Sequence, residues 1–349
     1  MIKGKLVLAA VVVLGLVVSA CTRGVSTGST SAQPPELYTA MPPISDVRTL
    51  LGDDNWWAGP PSFGVRPLDV ASMPFNQKFS VSQAFVHVGS AEMFTVEYEL
   101  WNDTSAAKSH MNSVQTALGT SAVSGPKVGD QSIYYGSQTS GAAPYQTVTI
   151  VRLGQIVALI GLDVKDGFPK VAQLGKIANK VIARLKDVIS GKLPATQLST
   201  AESAVLPPAN LDMTLLGTTK ISVEAAMVMI DAPSIDAIAQ TLRGSGVSDA
   251  VFGDYALNSD THMEVRATVF KFLTAQNATT WVVGLRGTTP SDQPGFFDPA
   301  HGWYMFPFAA GTSAAMLICR STGETEAASR ACEAPLSRVT DVWKLSLGA

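Results

Sequence analysis

The sequence predicts an α+β fold of two related modules, each an antiparallel sheet packed against helices, after a signal peptide and a flexible linker. Three observations lead there. Alternating apolar and polar runs of strand length are interleaved with segments whose apolar residues recur at three-and-four spacing. Strand-like runs follow one another across short glycine turns, which marks hairpins and therefore antiparallel pairing. The order helix, strand, helix, hairpin, helix occurs twice within the 349 residues.

The first element is not part of the fold. Met1 to Ala20 has a basic start at Lys3 and Lys5, then an uncharged run from Leu6 to Val18, then Ser19-Ala20-Cys21. This is the layout of a secretory signal, and the run is shorter than the roughly 20 apolar residues a membrane-spanning helix requires. Val18-Ser19-Ala20-Cys21 resembles the lipobox of bacterial lipoproteins, with Val where that family favours Leu. The resemblance implies cleavage before Cys21 and lipidation of its thiol, with long acyl chains of the palmitate kind. Each buried methylene contributes about 0.8 kcal/mol, so two or three chains hold a protein at a membrane where one would exchange. Residues 21–40 are then read as the lipidated cysteine and a linker. Thr22 to Pro35 is rich in Ser, Thr and Gly, and such a leash spans about 20 Å.

The folded part divides at Ser190 to Asn210, a Pro/Ser/Thr-rich stretch. Residues 41–190 form the expected N-terminal domain, 191–210 a linker, and 211–349 the C-terminal domain. In the first, Ile44 to Gly52 reads as a short amphipathic helix ended by glycine. Phe94 to Trp101 alternates as a strand, and Asn102 to Ser105 offers caps for a helix to Leu118. Gln146 to Arg152 and Gln155 to Asp163 make a hairpin through Leu153-Gly154. Pro169 to Ile189 closes the half as a helix whose Val171, Leu174, Ile177, Val181 and Leu185 form one apolar face. In the second half the counterparts are helix Ile235 to Gly244, strand Met263 to Phe270 and helix Thr274 to Val283. A hairpin of Gly302 to Phe308 with Thr312 to Cys319 and a helix from Glu324 to Leu345 follow.

This layout resembles two-domain actinobacterial, especially mycobacterial, envelope lipoproteins of unknown function. Those join a lipobox and a Ser/Thr-rich leash to two α+β modules, the second with a cysteine pair near its end. The resemblance implies an envelope role and no particular reaction.

With Cys21 lipidated, Cys319 and Cys332 remain in an oxidising compartment, and an even pair there reads as a disulfide. It is expected to staple the closing helix, which contains Cys332, to the strand that ends at Cys319.

Charge and motifs exclude more than they assign. A net charge of -3 lacks the basic excess that nucleic-acid binding needs. His87, His110, His262 and His301 show no metal-ligand spacing, so neither metal nor other cofactor is expected. Alternation places His87, Glu97 and Glu99 on solvated strand faces, and His110 on the polar face of its helix. Nucleophile-elbow, phosphate-loop and dinucleotide motifs are absent. Asp53-Asp54 reads as turn chemistry. Two aromatic segments stand out: Trp56-Trp57 in a Gly/Pro-rich loop, and Phe296, Phe297, Trp303 and Tyr304 within Pro294 to Phe308. Rings so placed close a core, form a binding surface or touch a membrane.

The sequence thus describes a membrane-anchored lipoprotein on the extracytoplasmic side of a bacterial envelope. It is read as no enzyme, and as binding a protein partner or a small envelope ligand through an aromatic surface. The alternatives are a glycan-acting envelope enzyme using Asp53 or Asp54 near Trp56, and a structural subunit of an envelope assembly.

Overall fold

The computed structural model describes residues 32–63, 77–88, 90, 92–138, 145–194, 200–208, 211–229, 235–287, 289–290, 293–299, 302–320 and 326–348. The signal segment, Cys21, most of the leash and His301 lie outside these residues. The first helix, α1 (Pro34–Ala40), begins inside the predicted linker. Proline at its first turn preorganises the helix, and the Glu36 carboxylate accepts the Gln33 N–H at 2.9 Å. Leu37 and Ala40 are buried, so the linker is shorter than composition suggests. Helix α2 (Ile44–Leu51) stops at Gly52, whose φ of 75° is the left-handed value that glycine adopts without strain.

Strands β1 (Trp56–Ala58), β2 (Ser62–Phe63), β3 (Gln77–His87) and β4 (Met93–Trp101) lead to α3 (Thr104–Leu118). Asp103 caps α3 by accepting the Ala106 N–H at 2.8 Å. Strands β5 (Ala122–Val123), β6 (Gln131–Gln138), β7 (Tyr145–Leu153) and β8 (Ile156–Val164) precede α4 (Val171–Ile189). The sheet runs β1-β3-β4-β8-β7-β6-β5, antiparallel throughout, with β2 also paired to β3.

The second half begins with α5 (Thr200–Ser203), β9 (Met213–Ser222), α6 (Val223–Met229) and α7 (Ile235–Gly244). Then come β10 (Asp249–Leu257), β11 (Asp260–Lys271), α8 (Ala275–Arg286), β12 (Phe296–Asp298), β13 (Trp303–Ala310) and β14 (Ser313–Arg320). It ends with α9 (Glu326–Ser329) and α10 (Glu333–Ser346). This sheet runs β12-β13-β14-β11-β10-β9. Its path β10-β11-β14-β13-β12 repeats β3-β4-β8-β7-β6 strand for strand, with α8 in the place of α3 and α10 in that of α4. The two modules share one topology.

The closing helix changes pitch midway: Cys332 ends a 3₁₀ turn, Arg330–Cys332, that joins α9 directly to α10, and it is bonded to Cys319 with Cα atoms 6.6 Å apart. The predicted linker 191–210 is also partly core, since Leu206 is buried in the second module and Trp343 Nε1 donates to the Val205 carbonyl at 2.8 Å.

Each sheet is covered on both faces, and this overturns the alternation argument. In the first module α4 and α1 cover Val81, Phe94, Val96, Tyr98 and Ile160, while α3 covers Ile133, Val148, Ile150 and Val157 on the other side. Glu97 and Glu99, expected in solvent, are only 6% and 7% exposed. Glu99 is instead a buried acceptor: Trp101 Nε1 donates to it at 3.2 Å, and His110 of α3 lies 3.7 Å away, stacked on the Trp101 ring. That histidine therefore sits against the sheet and not on a polar helix face, and its burial there lowers its pKa.

Ser31–Ala349 forms one compact unit, so the modules pack together. Helix α1 lies on β9, where the Tyr38 ring closes on Gly217 so tightly that a Cβ there would stand 2.7 Å from it. Arg266 of β11 is buried and reaches across, donating from Nη2 to the Pro61 carbonyl of the first module at 2.9 Å.

Candidate functional site

The two aromatic segments do not form one surface. Trp56 is 3% exposed and packs edge-on against His87, while its neighbour Trp57 points the other way across the strand and borders the cleft between the modules. Tyr304 is 2% exposed, lying against Phe306 beneath Arg330 on the α10 side of its sheet. Trp56 and Tyr304 are therefore core residues, not candidate ligand contacts. Phe296 and Trp303 take the other side, whereas Phe297, paired with Tyr304, packs against the α10-side core from the edge strand β12; all three border a cavity of about 350 Å³ under α8.

Register explains that convergence. Phe296 pairs with Met305 and Met305 with Ile318, so these side chains share the sheet face that α8 covers. Trp281 and Leu285 of α8, Phe270 of β11 and Met316 of β14 add to the wall, and Asp298 of β12, followed by Pro299, supplies its charged edge. At the corresponding place in the first module Met111, Val114 and Leu118 of α3 pack on Ile133, Ile150 and Tyr135. Trp303 also borders a smaller recess with Arg320 and Glu264, which gives the apolar pocket a charged neighbour. Trp281 was not singled out from sequence, because a lone tryptophan in a helix carries no sign of what lies beneath it.

The larger cavity, about 1060 Å³, lies between the modules, with α1, α2 and β1 on one side and β9 and α6 on the other. Pairing within its wall is unequal. Lys220 bonds Glu202 at 2.7 Å and Asp249 at 3.4 Å, and Arg243 is paired with Glu224. Arg48 and Arg184 are held by carbonyls instead: Arg48 Nε donates to Trp56, and Arg184 donates to Met41 and Thr39, each at 3.0 Å. Gln83 also faces this space, with Nε2 donating to the Gly59 carbonyl at 2.8 Å. Its Oε1 is buried with no hydrogen-bond partner.

Beside the cleft is a buried ionic chain. Asp254 and Glu264 flank Arg266 at 2.7 and 3.2 Å, and Arg320 bonds the far oxygen of Glu264 at 3.0 Å. Burial pushes the Asp254 carboxyl up to about 6, with the Glu264 charge adding to the rise and Arg266 opposing it. The Tyr38 hydroxyl, buried next to this pair, is raised as well, by burial first and by Asp254 second.

His87 is not on a solvated face. Its Nε2 lies 3.0 Å from Asp53 Oδ2 and its Nδ1 lies 2.6 Å from Ser90 Oγ. Asp53 also accepts the Asn55 N–H at 2.8 Å, and that bond, ahead of the one to His87, lowers its pKa. The chain ties the β3–β4 turn to the loop after α2. Neither Asp53 nor Asp54 lines any of the cavities described above. Among the described residues no cluster of three or more His, Cys, Asp and Glu side chains is placed to hold a metal. None of their helices is long and apolar enough to cross a membrane.

What this architecture defines is an α+β protein with two sheets of one topology, a disulfide, and ligand-sized cavities at and beside the seam. The chain matches no known protein family and no curated protein. Among solved structures, the extracellular domain of PknH from Mycobacterium tuberculosis is similar at 11% sequence identity, over 46% of this chain and 100% of that one, with a TM-score of 0.38. DynU16, a protein of the dynemicin biosynthetic locus, is similar at 10% identity over 91% of this chain and 94% of its own, with a TM-score of 0.16.

Proposed function

We propose that this protein is a lipid-anchored, extracytoplasmic binding protein and not an enzyme, and that it holds a small apolar ligand in the pocket beneath α8. One observation carries the reading: Phe296, Phe297, Trp303 and Trp281 surround a cavity of about 350 Å³. That volume falls in the range of small-molecule sites, which are mostly apolar with a few polar groups at the edge. Asp298 is such a group, and Arg320 lies in the neighbouring recess that Trp303 also borders. The disulfide supports an oxidising location. Cys21 supplies the anchor, so Cys21→Ser leaves unlipidated protein in the medium or an uncleaved precursor; unchanged membrane fractionation of that variant would refute the anchor.

The ligand test uses N-phenyl-1-naphthylamine, a neutral fluorophore that brightens in apolar sites. Full-length protein binds it, decanoate displaces it, and Trp303→Ala weakens binding about tenfold while the melting temperature holds. Equal binding by wild type and variant, or none by either, removes the pocket from consideration. Capture of a protein partner through the same face would favour the assembly reading.

A second reading, hydrolysis, has one observation in its favour, the Ser90–His87–Asp53 chain. A nucleophile, a base and an orienting carboxylate in contact are the parts of acyl transfer. Here the ring turns Nδ1 to the serine and Nε2 to the carboxylate, the reverse of the usual triad. Labelling of Ser90 by a fluorophosphonate, lost in His87→Ala, would establish hydrolysis; no labelling leaves the chain as a fastener of the turn.

A further inference from the structure

We infer that the cleft between the modules is a second binding site, for an anionic saccharide, distinct from the pocket beneath α8. The argument begins with charge. Four cations, Arg48, Arg184, Lys220 and Arg243, face this space with two carboxylates, Glu202 and Glu224. Lys220 and Arg243 take both of those carboxylates. Arg48 and Arg184 have no carboxylate among the described residues and are bonded only to backbone carbonyls, which fix their guanidinium planes but leave their charge unbalanced. Guanidinium groups held in place before a ligand arrives are suited to carboxylate or phosphate, since the ordering cost has already been met in folding.

The second element is Gln83. It is 8% exposed and faces the cleft, and its amide orientation is dictated by the bond from Nε2 to the Gly59 carbonyl. Oε1 is therefore left as an acceptor with nothing donating to it. A buried acceptor in this condition costs about 1–3 kcal/mol, and a ligand hydroxyl would relieve it. The third element is Trp57, whose half-buried ring forms part of the same wall. A flat apolar face, an anionic group and hydroxyl donors together describe an acidic pyranose: its C–H face lies on indole, its acid meets arginine, and a hydroxyl meets Gln83. A fatty acid would leave Gln83 unsatisfied, and a neutral sugar would leave the arginines unused. The acid is carried either as a uronic carboxylate or as a sugar phosphate, which share this chemistry.

The test titrates the full chain with trigalacturonate, with glucose 6-phosphate and with maltotriose, reading tryptophan fluorescence and heat. We expect at least one of the two anionic sugars to bind, and which of them binds identifies the acid. Binding weakens about tenfold in Arg48→Gln and in Gln83→Leu, and falls as salt is raised. Trp57→Phe retains binding that Trp57→Ala loses, which separates ring stacking from misfolding. Trp303→Ala leaves saccharide binding intact, so failure of the α8 pocket and failure of this site are told apart. The inference is overturned if neither anion binds at millimolar concentration, if maltotriose binds as well as they do, or if folded Arg48→Gln binds unchanged.

Discussion

Arg266 holds the least replaceable position in the molecule. It neutralises Asp254 and Glu264 inside the protein and also donates to the Pro61 carbonyl of the other module. Removing Arg266 would strip Asp254 of its cation, at a cost of about 3–5 kcal/mol, while Glu264 would keep Arg320. Arg266→Met is therefore expected to melt far below wild type, and a variant within a degree or two of wild type would contradict this. The same cluster sets a pH dependence. The Asp254 carboxyl keeps its proton up to about 6 in the folded chain, whereas an unfolded aspartate loses it near 4. Across that window the folded state binds more protons, so stability falls as pH rises. Asp163, also raised by burial, adds a slope of the same sign. His110, lowered by burial, and Asp53 and Glu224, lowered by their partners, contribute slopes of the opposite sign, so the Asp254 contribution is read as a difference. In denaturant titrations from pH 4 to 7 the wild type should lose stability relative to Asp254→Asn as pH rises, and parallel curves for the two proteins assign the effect elsewhere. None of these burials was legible from sequence. Alternation tells which side of a strand a carboxylate occupies, but not whether a helix covers that side.

At the scale of elements much more was readable. The strands expected at 94–101, 146–152 and 155–163 are found at Met93–Trp101, Tyr145–Leu153 and Ile156–Val164, and the helix expected from Pro169 spans Val171–Ile189. These segments bury one continuous apolar stripe, and pattern follows burial. Strands β1, β2, β5, β9 and β12 escaped notice because short or half-exposed strands carry little alternation. Strands β6 and β10 escaped as well, β10 because it is buried along its length and does not alternate. Helix α1 escaped because two prolines resemble a linker until their place in a first turn is known. The disulfide acts at this scale too. It closes a 13-residue separation around the α9 turn and ties that turn to β14, which the chain-entropy account values at about 3 kcal/mol. Cys319→Ala with Cys332→Ala should lower the melting temperature by several degrees and make it insensitive to reductant. A wild-type melting curve unmoved by reductant would argue against the staple.

Across the whole molecule, two modules of one topology meet through contacts that belong to neither repeat pattern. Gly217 is the clearest of them. A valine there would drive into the Tyr38 ring, and overpacking of that kind costs about 1–3 kcal/mol. Gly217→Val is predicted to enlarge the radius of gyration in solution scattering and to split a single unfolding transition into two. A single transition with unchanged dimensions would mean that the seam tolerates displacement. The repeat itself was visible in the order of elements, whereas the seam was not, because Pro61, Gly217 and Tyr38 come together only after both sheets exist. The candidate site shared that limit. Phe296, Phe297 and Trp303 could be named from local density of rings, but Arg48, Arg184 and Gln83 are scattered along the chain and acquire meaning only when packing gathers them.

The position of α1 has a mechanical consequence. Among the described residues the first helix lies at the seam, packed on α4 of the first module and β9 of the second. Tension applied anywhere upstream is thus delivered to the joint, not to the outer edge of either sheet. A pull on the N-terminus would slide α1 past Gly217 before any strand is unzipped, and the walls of the cleft would be the first surfaces to part.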